Sequence, residues 1–167
     1  MNKYENYFKS QKHDIKKDLI NTYIKYNDKY LISNGYGIVM VNNIPDDFSE
    51  NIKYNYTITS MFDNWYINAE AYNSTEYYKI DIDTVKNNVK TDTYGYKVIN
   101  MESVADFRES KNYSIDYGLL KKLIELIGYK ELCIMVVYSA GTNDYLPVIK
   151  LIGKDNQVGY MLPMGRF

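Results

Sequence analysis

The sequence predicts an α+β fold in which two helices pack on antiparallel sheet. The best helix signal is a capped apolar segment at residues 116–128. Most other apolar runs alternate with polar residues, which is typical of half-buried strands. In both halves of the chain a helix precedes several strands, and this order suggests a β-α-β-β-β unit used twice. We expect a single domain over residues 1–167, enlarged by a strand and loop region at about 44–112.

The composition favours a globular protein of the cytoplasm. Of the 167 residues, 46% are hydrophobic and 25% are charged, and the 3 prolines form no linker. The N-terminus is too charged for a signal peptide, and no apolar run approaches the ~20 residues that a membrane helix needs. The single cysteine, Cys133, excludes an internal disulfide. The many Tyr, Asn, Lys and Ile residues suggest a low-GC bacterial host or its phage.

The first predicted helix covers residues 8–27. Its apolar stripe comprises Phe8, Ile15, Leu19, Thr22 and Tyr26. On one flank of this stripe lie Lys9, Lys12 and Lys16. The first 30 residues hold seven lysines against four acids, although the net charge of the chain is −1. The sequence therefore predicts a local basic patch at the N-terminal helix.

The strands of the first half follow this helix. Two β-rich runs meet at Asn34-Gly35, the strongest short hairpin signal. Alternating polarity predicts further strands at residues 53–62, 65–72, 77–85 and 96–104. Residues 83–96 suggest a loop or a weak hairpin.

The sequence predicts both ends and the apolar face of the second helix. Asp116 is a good N-cap, and Gly128 supplies the stop. The apolar face comprises Leu119, Leu120, Leu123, Ile124, Leu126 and Ile127. Three strands are predicted after it, and Pro147 should lie near the start of one of them or on an edge.

Groups for catalysis are scarce in the sequence. His13 is the only histidine, and no nucleophile elbow, phosphate-binding loop or cysteine cluster is present. Asp81 and Asp83 would share a strand face and could hold a divalent cation, or they are simply solvated acids. The tyrosines could stack single-stranded bases, but their spread over the whole chain favours half-buried strand positions. We expect a non-catalytic protein without cofactor or metal.

The C-terminal third resembles the last half-domain of bacterial-type DNA polymerase sliding clamps. The resemblance lies in residues 114–167, which read SIDYGLLKKLIELIG, a buried strand and then YLPVIKLIGKDNQVGYMLPM. The predicted first helix and KYLISNGYGIVMV are similar to the clamp's helix and first hairpin. The resemblance implies helices on the inner face of a ring, with sheets outside.

The resemblance also implies two kinds of site. Lysines of the two helices would meet DNA phosphates without reading sequence, and the candidates are Lys9, Lys12, Lys16, Lys121 and Lys122. A protein partner would bind at Met161, Leu162, Pro163 and Met164, unless these residues close the core instead. A ring would require copies of the chain to associate.

Three functions follow as expectations. The first is a sliding-clamp-like binding module that acts on DNA or on replication proteins. The alternative is a phage or mobile-element inhibitor that binds and blocks a host protein machine, such as an anti-CRISPR or replication inhibitor. The third is an enzyme built around Asp81 and Asp83.

Overall fold

A computed structural model describes residues 2–10, 14–66, 76–139 and 144–165. The helices in these ranges are α1 (Lys3–Tyr7), α2 (Asn55–Tyr66), α3 (Ile82–Asn87) and α4 (Tyr117–Ile127). The strands of the first half are β1 (Thr22–Tyr26), β2 (Lys29–Ser33), β3 (Gly37–Val41), β4 (Ser49–Glu50) and β5 (Glu76–Ile80). The strands of the second half are β6 (Val89–Thr91), β7 (Lys97–Asn100), β8 (Tyr113–Asp116), β9 (Glu131–Ser139), β10 (Asp144–Ile152), β11 (Val158–Met161) and β12 (Met164–Gly165). The predicted α+β class is confirmed.

The larger of two sheets joins two meanders side by side. Its order is β4-β1-β2-β3-β11-β10-β9-β5, and all neighbours are antiparallel except β1 and β4. The meanders β1–β2–β3 and β9–β10–β11 meet where β3 pairs with β11, with Val39 opposite Gly159. The smaller sheet has the order β12-β8-β7-β6.

The two faces of the larger sheet bury separate cores. On what we call the α4 face, Val39, Ile134 and Ile149 belong to one cluster with Leu120 and Leu123 of α4. Helix α1 and the smaller sheet share this cluster, which explains why α4 is apolar on so wide an arc. On the opposite α2 face, the helix α2 contributes Ile58 and Phe62 to a second cluster, whose strand residues include Leu31, Met135 and Tyr160.

The repeated unit is present in the second half and incomplete in the first. Strand β8, helix α4 and the meander β9–β11 give the order β-α-β-β-β. In the first half the five-residue α1 precedes the meander β1–β3, and no strand precedes α1 among the described residues. The two helices pack against each other, so each meander carries a helix on the α4 face.

The predicted helix over residues 8–27 is wrong. Helix α1 ends at Tyr7, a 3-10 turn covers Lys17–Leu19, and residues 22–26 form β1. Asn21 and Asn27 bracket this strand with φ of 55° each, a left-handed conformation that a continuing helix does not permit. Residues 22–26 read TYIKY, so their β-branched and aromatic side chains gave a strand signal that the helical spacing masked. Lys12 and His13 lie outside the described residues.

The predicted strand over residues 53–62 is also wrong, because this segment belongs to helix α2. The Asn51 side chain accepts a hydrogen bond of 2.9 Å from the Tyr54 backbone N–H just before the helix. Ile58 and Phe62 then fall four residues apart on the buried face. The strand predicted at 65–72 begins inside α2, and its remainder lies outside the described residues.

Asp81 and Asp83 do not share a strand face. Strand β5 ends at Ile80, and the Asp81 side chain caps α3 by accepting a hydrogen bond of 3.3 Å from the Thr84 N–H. Asp83 is exposed in the first turn of α3, where an acid suits the helix dipole. Throughout the described ranges, no three His, Cys, Asp or Glu side chains come together as a metal site would require.

The strand predicted at 77–85 is confirmed only as far as Ile80, and the strand predicted at 96–104 only for residues 97–100. The following predicted features are confirmed. Residues 33–37 close the β2–β3 hairpin, and Gly35 takes a φ of 87° that favours glycine. Asp116 caps α4, and Gly128 ends it. Pro147 lies in β10 beyond the stretch paired with β11, which begins at Ile149. None of the described helices has the length and apolar character that a membrane crossing needs.

Candidate nucleic-acid interface

Helices α1 and α4 are held side by side by polar contacts on their exposed surface. The Asn6 side chain donates a hydrogen bond of 2.9 Å to the Glu125 carboxylate. The Lys122 amine donates to the backbone carbonyl of Lys9. Underneath, Tyr7 and Phe8 are buried in the α4-face core. The short α1 is therefore fixed against α4 from both sides.

A cleft of about 480 Å³ opens between these helices and the β6–β7 turn. We call it the lysine cleft, and its lining includes Asn6, Tyr96, Lys97, Lys121, Lys122 and Glu125. Helix α4 positions its two lysines because its opposite face is buried: Leu119, Leu120 and Leu123 point into the core. The hairpin β6–β7 brings Lys97, whose amine donates a hydrogen bond of 2.7 Å to the Thr91 hydroxyl.

The cleft also contains two carboxylates, and each of them accepts a hydrogen bond from a neutral group. Asp116 accepts a hydrogen bond of 3.1 Å from the Leu119 N–H as the cap of α4, and Glu125 accepts from Asn6. The cleft lysines outnumber these two carboxylates, and exposed Lys9 adds a further positive charge beside them. The arrangement leaves net positive potential at the surface of α4.

Lys122 is the least solvated of these lysines. Burial lowers the pKa of its amine, against the raising effect of Asp116. Glu125 also raises this pKa, whereas the neighbouring charges of Lys9 and Lys121 lower it. A bound anion would further favour the charged form of the Lys122 amine, because it brings an opposite charge close to it.

Lys16 lies apart from the other predicted DNA-facing lysines. It lines a second opening, and its amine is 5.7 Å from the centroid of the Tyr54 ring. The grouping of Lys16 with Lys9 on one helix flank was wrong, because the intervening chain does not continue α1. Lys121 and Lys122 do lie together, as their spacing on α4 predicts.

The second opening is an apolar groove of about 310 Å³ on the α2 face. We call it the apolar groove, and its lining includes Leu19, Ile38, Tyr54, Ile58, Met61 and Leu162. Asp14 and Lys16 contribute one charge of each sign to its lining. Met61 is 37% exposed there, so part of the groove is open to solvent.

The residues predicted to bind a protein partner are divided between different surroundings. Met161 is 3% exposed and seals the α4-face core, which is the structural alternative that the sequence left open. Leu162 reaches the apolar groove, and Pro163 is half-buried. Met164 belongs to β12 and pairs with Ser114 of β8. Only Leu162 of this set lines the groove.

Sequence reasoning missed several residues of both openings. Asn6, Tyr96 and Lys97 carry no motif, and they reach α4 through the topology of the chain. The groove residues Ile58 and Met61 were placed in a strand, although their spacing from Tyr54 and Phe62 also fits a helix.

Comparisons with protein-family models, with curated proteins and with solved structures give no match to this chain. The relationship to sliding clamps therefore remains a prediction from residues 114–167.

Proposed function

We propose that this chain is a non-catalytic, sliding-clamp-like binding module whose lysine cleft contacts the phosphates of DNA. The observation that carries the proposal is the group formed by Lys97, Lys121 and Lys122 in one cleft, with Lys9 beside it. Amines at the rim of an open cleft attract phosphates by charge alone, so the contact would not depend on base sequence. The helix-and-meander order found in both halves supports the clamp-like part of the proposal.

Removing the three cleft lysines should weaken DNA binding and reduce its salt dependence. We expect the triple variant Lys97→Gln, Lys121→Gln, Lys122→Gln to lose about one unit of salt slope for each phosphate contact removed. Glutamine keeps much of the side-chain length, so the fold should be retained. Fluorescence anisotropy with labelled DNA over a range of salt concentrations measures both quantities.

The matched control has the same change of charge elsewhere on the surface. Lys86, Lys111 and Lys130 are exposed and line neither the lysine cleft nor the apolar groove. Their triple glutamine variant should bind DNA nearly as well as the unmodified chain. A chain that stays monomeric by light scattering and binds no DNA at low salt would overturn the proposal.

The apolar groove favours a second candidate function, the inhibition of a host protein machine. Its lining suits an apolar side chain of a protein partner, because Leu162, Met61 and Ile58 would be desolvated together. The two openings lie on opposite faces of the larger sheet, so this function does not require the lysine cleft.

A charge placed in the groove should abolish such a protein complex. We expect Met61→Lys to weaken capture of a partner from host lysate by about tenfold or more, because the ammonium would be desolvated by the partner. Leu146→Lys is the control, since Leu146 is 41% exposed and outside the groove. Equal capture by the Met61→Lys variant and the unmodified chain would exclude the groove as the binding site.

A further inference from the structure

Two tyrosines lie at the turn that forms one wall of the lysine cleft. Tyr96 lines the cleft directly, together with its neighbour Gly95. Tyr94, one residue further along the turn, is 80% exposed. Most large apolar side chains of the described residues are buried or half-buried, so Tyr94 is not a packing residue. Tyr94 therefore presents an exposed ring on the same turn as Tyr96 and Lys97, which line the cleft.

The turn is rigid. The Asp92 carboxylate accepts hydrogen bonds of 2.9 Å from the backbone N–H groups of both Tyr94 and Tyr96. The backbone adds two further bonds between Asp92 and the residues Gly95 and Tyr96. Gly95 has a φ of 86°, which favours glycine and fixes the direction of the chain. The two aromatic rings are therefore presented from a preorganised backbone, which reduces the entropy lost on binding.

We propose that the lysine cleft binds single-stranded DNA, with bases stacked on Tyr94 and Tyr96 and phosphates held by the cleft lysines. This inference rests on the proposed function and names the form of its ligand. Aromatic faces next to a basic groove are the shared chemistry of proteins that bind single strands without sequence preference. In a duplex the base faces are stacked on one another and are not available to a tyrosine.

The volume of the lysine cleft also favours a single strand over a duplex. Its volume of about 480 Å³ is comparable to that of pockets which enclose a small molecule, ~300–1,000 Å³. Such a volume can admit nucleotides of a single strand. A duplex could touch only the rim, so Tyr96 inside the cleft would make no contact with its bases.

The test compares a fluorescent oligo-dT strand of about 15 nucleotides with a duplex of the same length. At about 50 mM salt, anisotropy should show tighter binding of the single strand by about tenfold or more. Tyr94→Ala should weaken binding of the single strand by about tenfold and leave binding of the duplex unchanged. Tyr94→Phe should restore binding, because stacking needs the ring and not the hydroxyl group.

Tyr56→Ala is the matched control, since Tyr56 is 84% exposed on α2 and does not line the lysine cleft. It should bind both ligands as the unmodified chain does. Equal affinity for duplex and single strand, with no effect of Tyr94→Ala, would overturn this inference and leave the proposed function standing. Failure of both ligands to bind would overturn both.

Discussion

Replacement of Phe62 by alanine is expected to lower the free energy of unfolding by about 3–5 kcal/mol. Phe62 is fully buried at the centre of the α2-face core. Its ring lies 5.1 Å from that of Tyr26 and 5.6 Å from that of Tyr160, both edge-on. Alanine would remove these contacts and leave a cavity that the sheet cannot close, because β-strand neighbours hold its tyrosines in place.

The measurement is chemical denaturation followed by circular dichroism. Tyr56→Ala on the same helix is the control, because it removes an exposed aromatic ring and should change the unfolding free energy by less than about 0.5 kcal/mol. Since Phe62 anchors the helix that forms one wall of the apolar groove, the Phe62→Ala variant should also distort that groove. Similar stability of both variants would show that α2 does not pack on the sheet as described.

Alanine at Gly37 is expected to destabilise the chain by about 3 kcal/mol, at the upper end of the usual range for overpacking. A Cβ atom at this position would lie 2.3 Å from the backbone oxygen of Tyr160. Gly37 pairs with Met161 at the seam between the two meanders. The oxygen is a backbone atom, so it can move away only if the β3–β11 pairing shifts.

Thermal unfolding measures this effect, with an expected decrease in melting temperature of roughly 6–12 °C for a chain of this size. Gly118→Ala is the matched glycine control. Its Cβ would lie 3.2 Å from the Asp116 carboxylate, a side-chain atom rather than a backbone atom, and alanine favours the helix by up to ~1 kcal/mol. A melting temperature for Gly37→Ala equal to that of the unmodified chain would contradict the close approach of β3 and β11.

Helices and strands were predicted correctly where the residues that indicate them lie within a few positions of one another in the sequence. For α4, the structure confirms the predicted cap at Asp116, the apolar face and the stop at Gly128. The Asn34-Gly35 hairpin and the buried strand β9 are similar cases. The strand predicted at 77–85 is wrong beyond Ile80, where Asp81 caps α3. Two further predictions were wrong because both periodicities were present: residues 22–26 fit a helical stripe yet pair with β2, and residues 55–66 alternate in part yet form α2. Burial against the sheet decided each case.

The candidate sites depend more strongly on tertiary structure. Lys121 and Lys122 were identified because they are neighbours on a helix whose apolar face is clear from the sequence. The sequence could not predict that the hairpin of Lys97 lies beside these lysines, because no short-range pattern relates the β6–β7 turn to α4. Asn6 and Glu125, which bridge α1 and α4, are 119 positions apart.

By itself, the sequence determined the α+β class, the bounds of α4 and the strands that follow it, because caps, turns and periodic burial act over a few residues. Tertiary structure decided which side chains meet. The wide apolar face of α4 must be covered on every side, and α1, the larger sheet and the smaller sheet supply that cover. The same packing leaves Lys121 and Lys122 at the surface, beside the turn that carries Tyr94 and Tyr96. The lysine cleft is the space that remains between elements brought together by burial of their apolar faces.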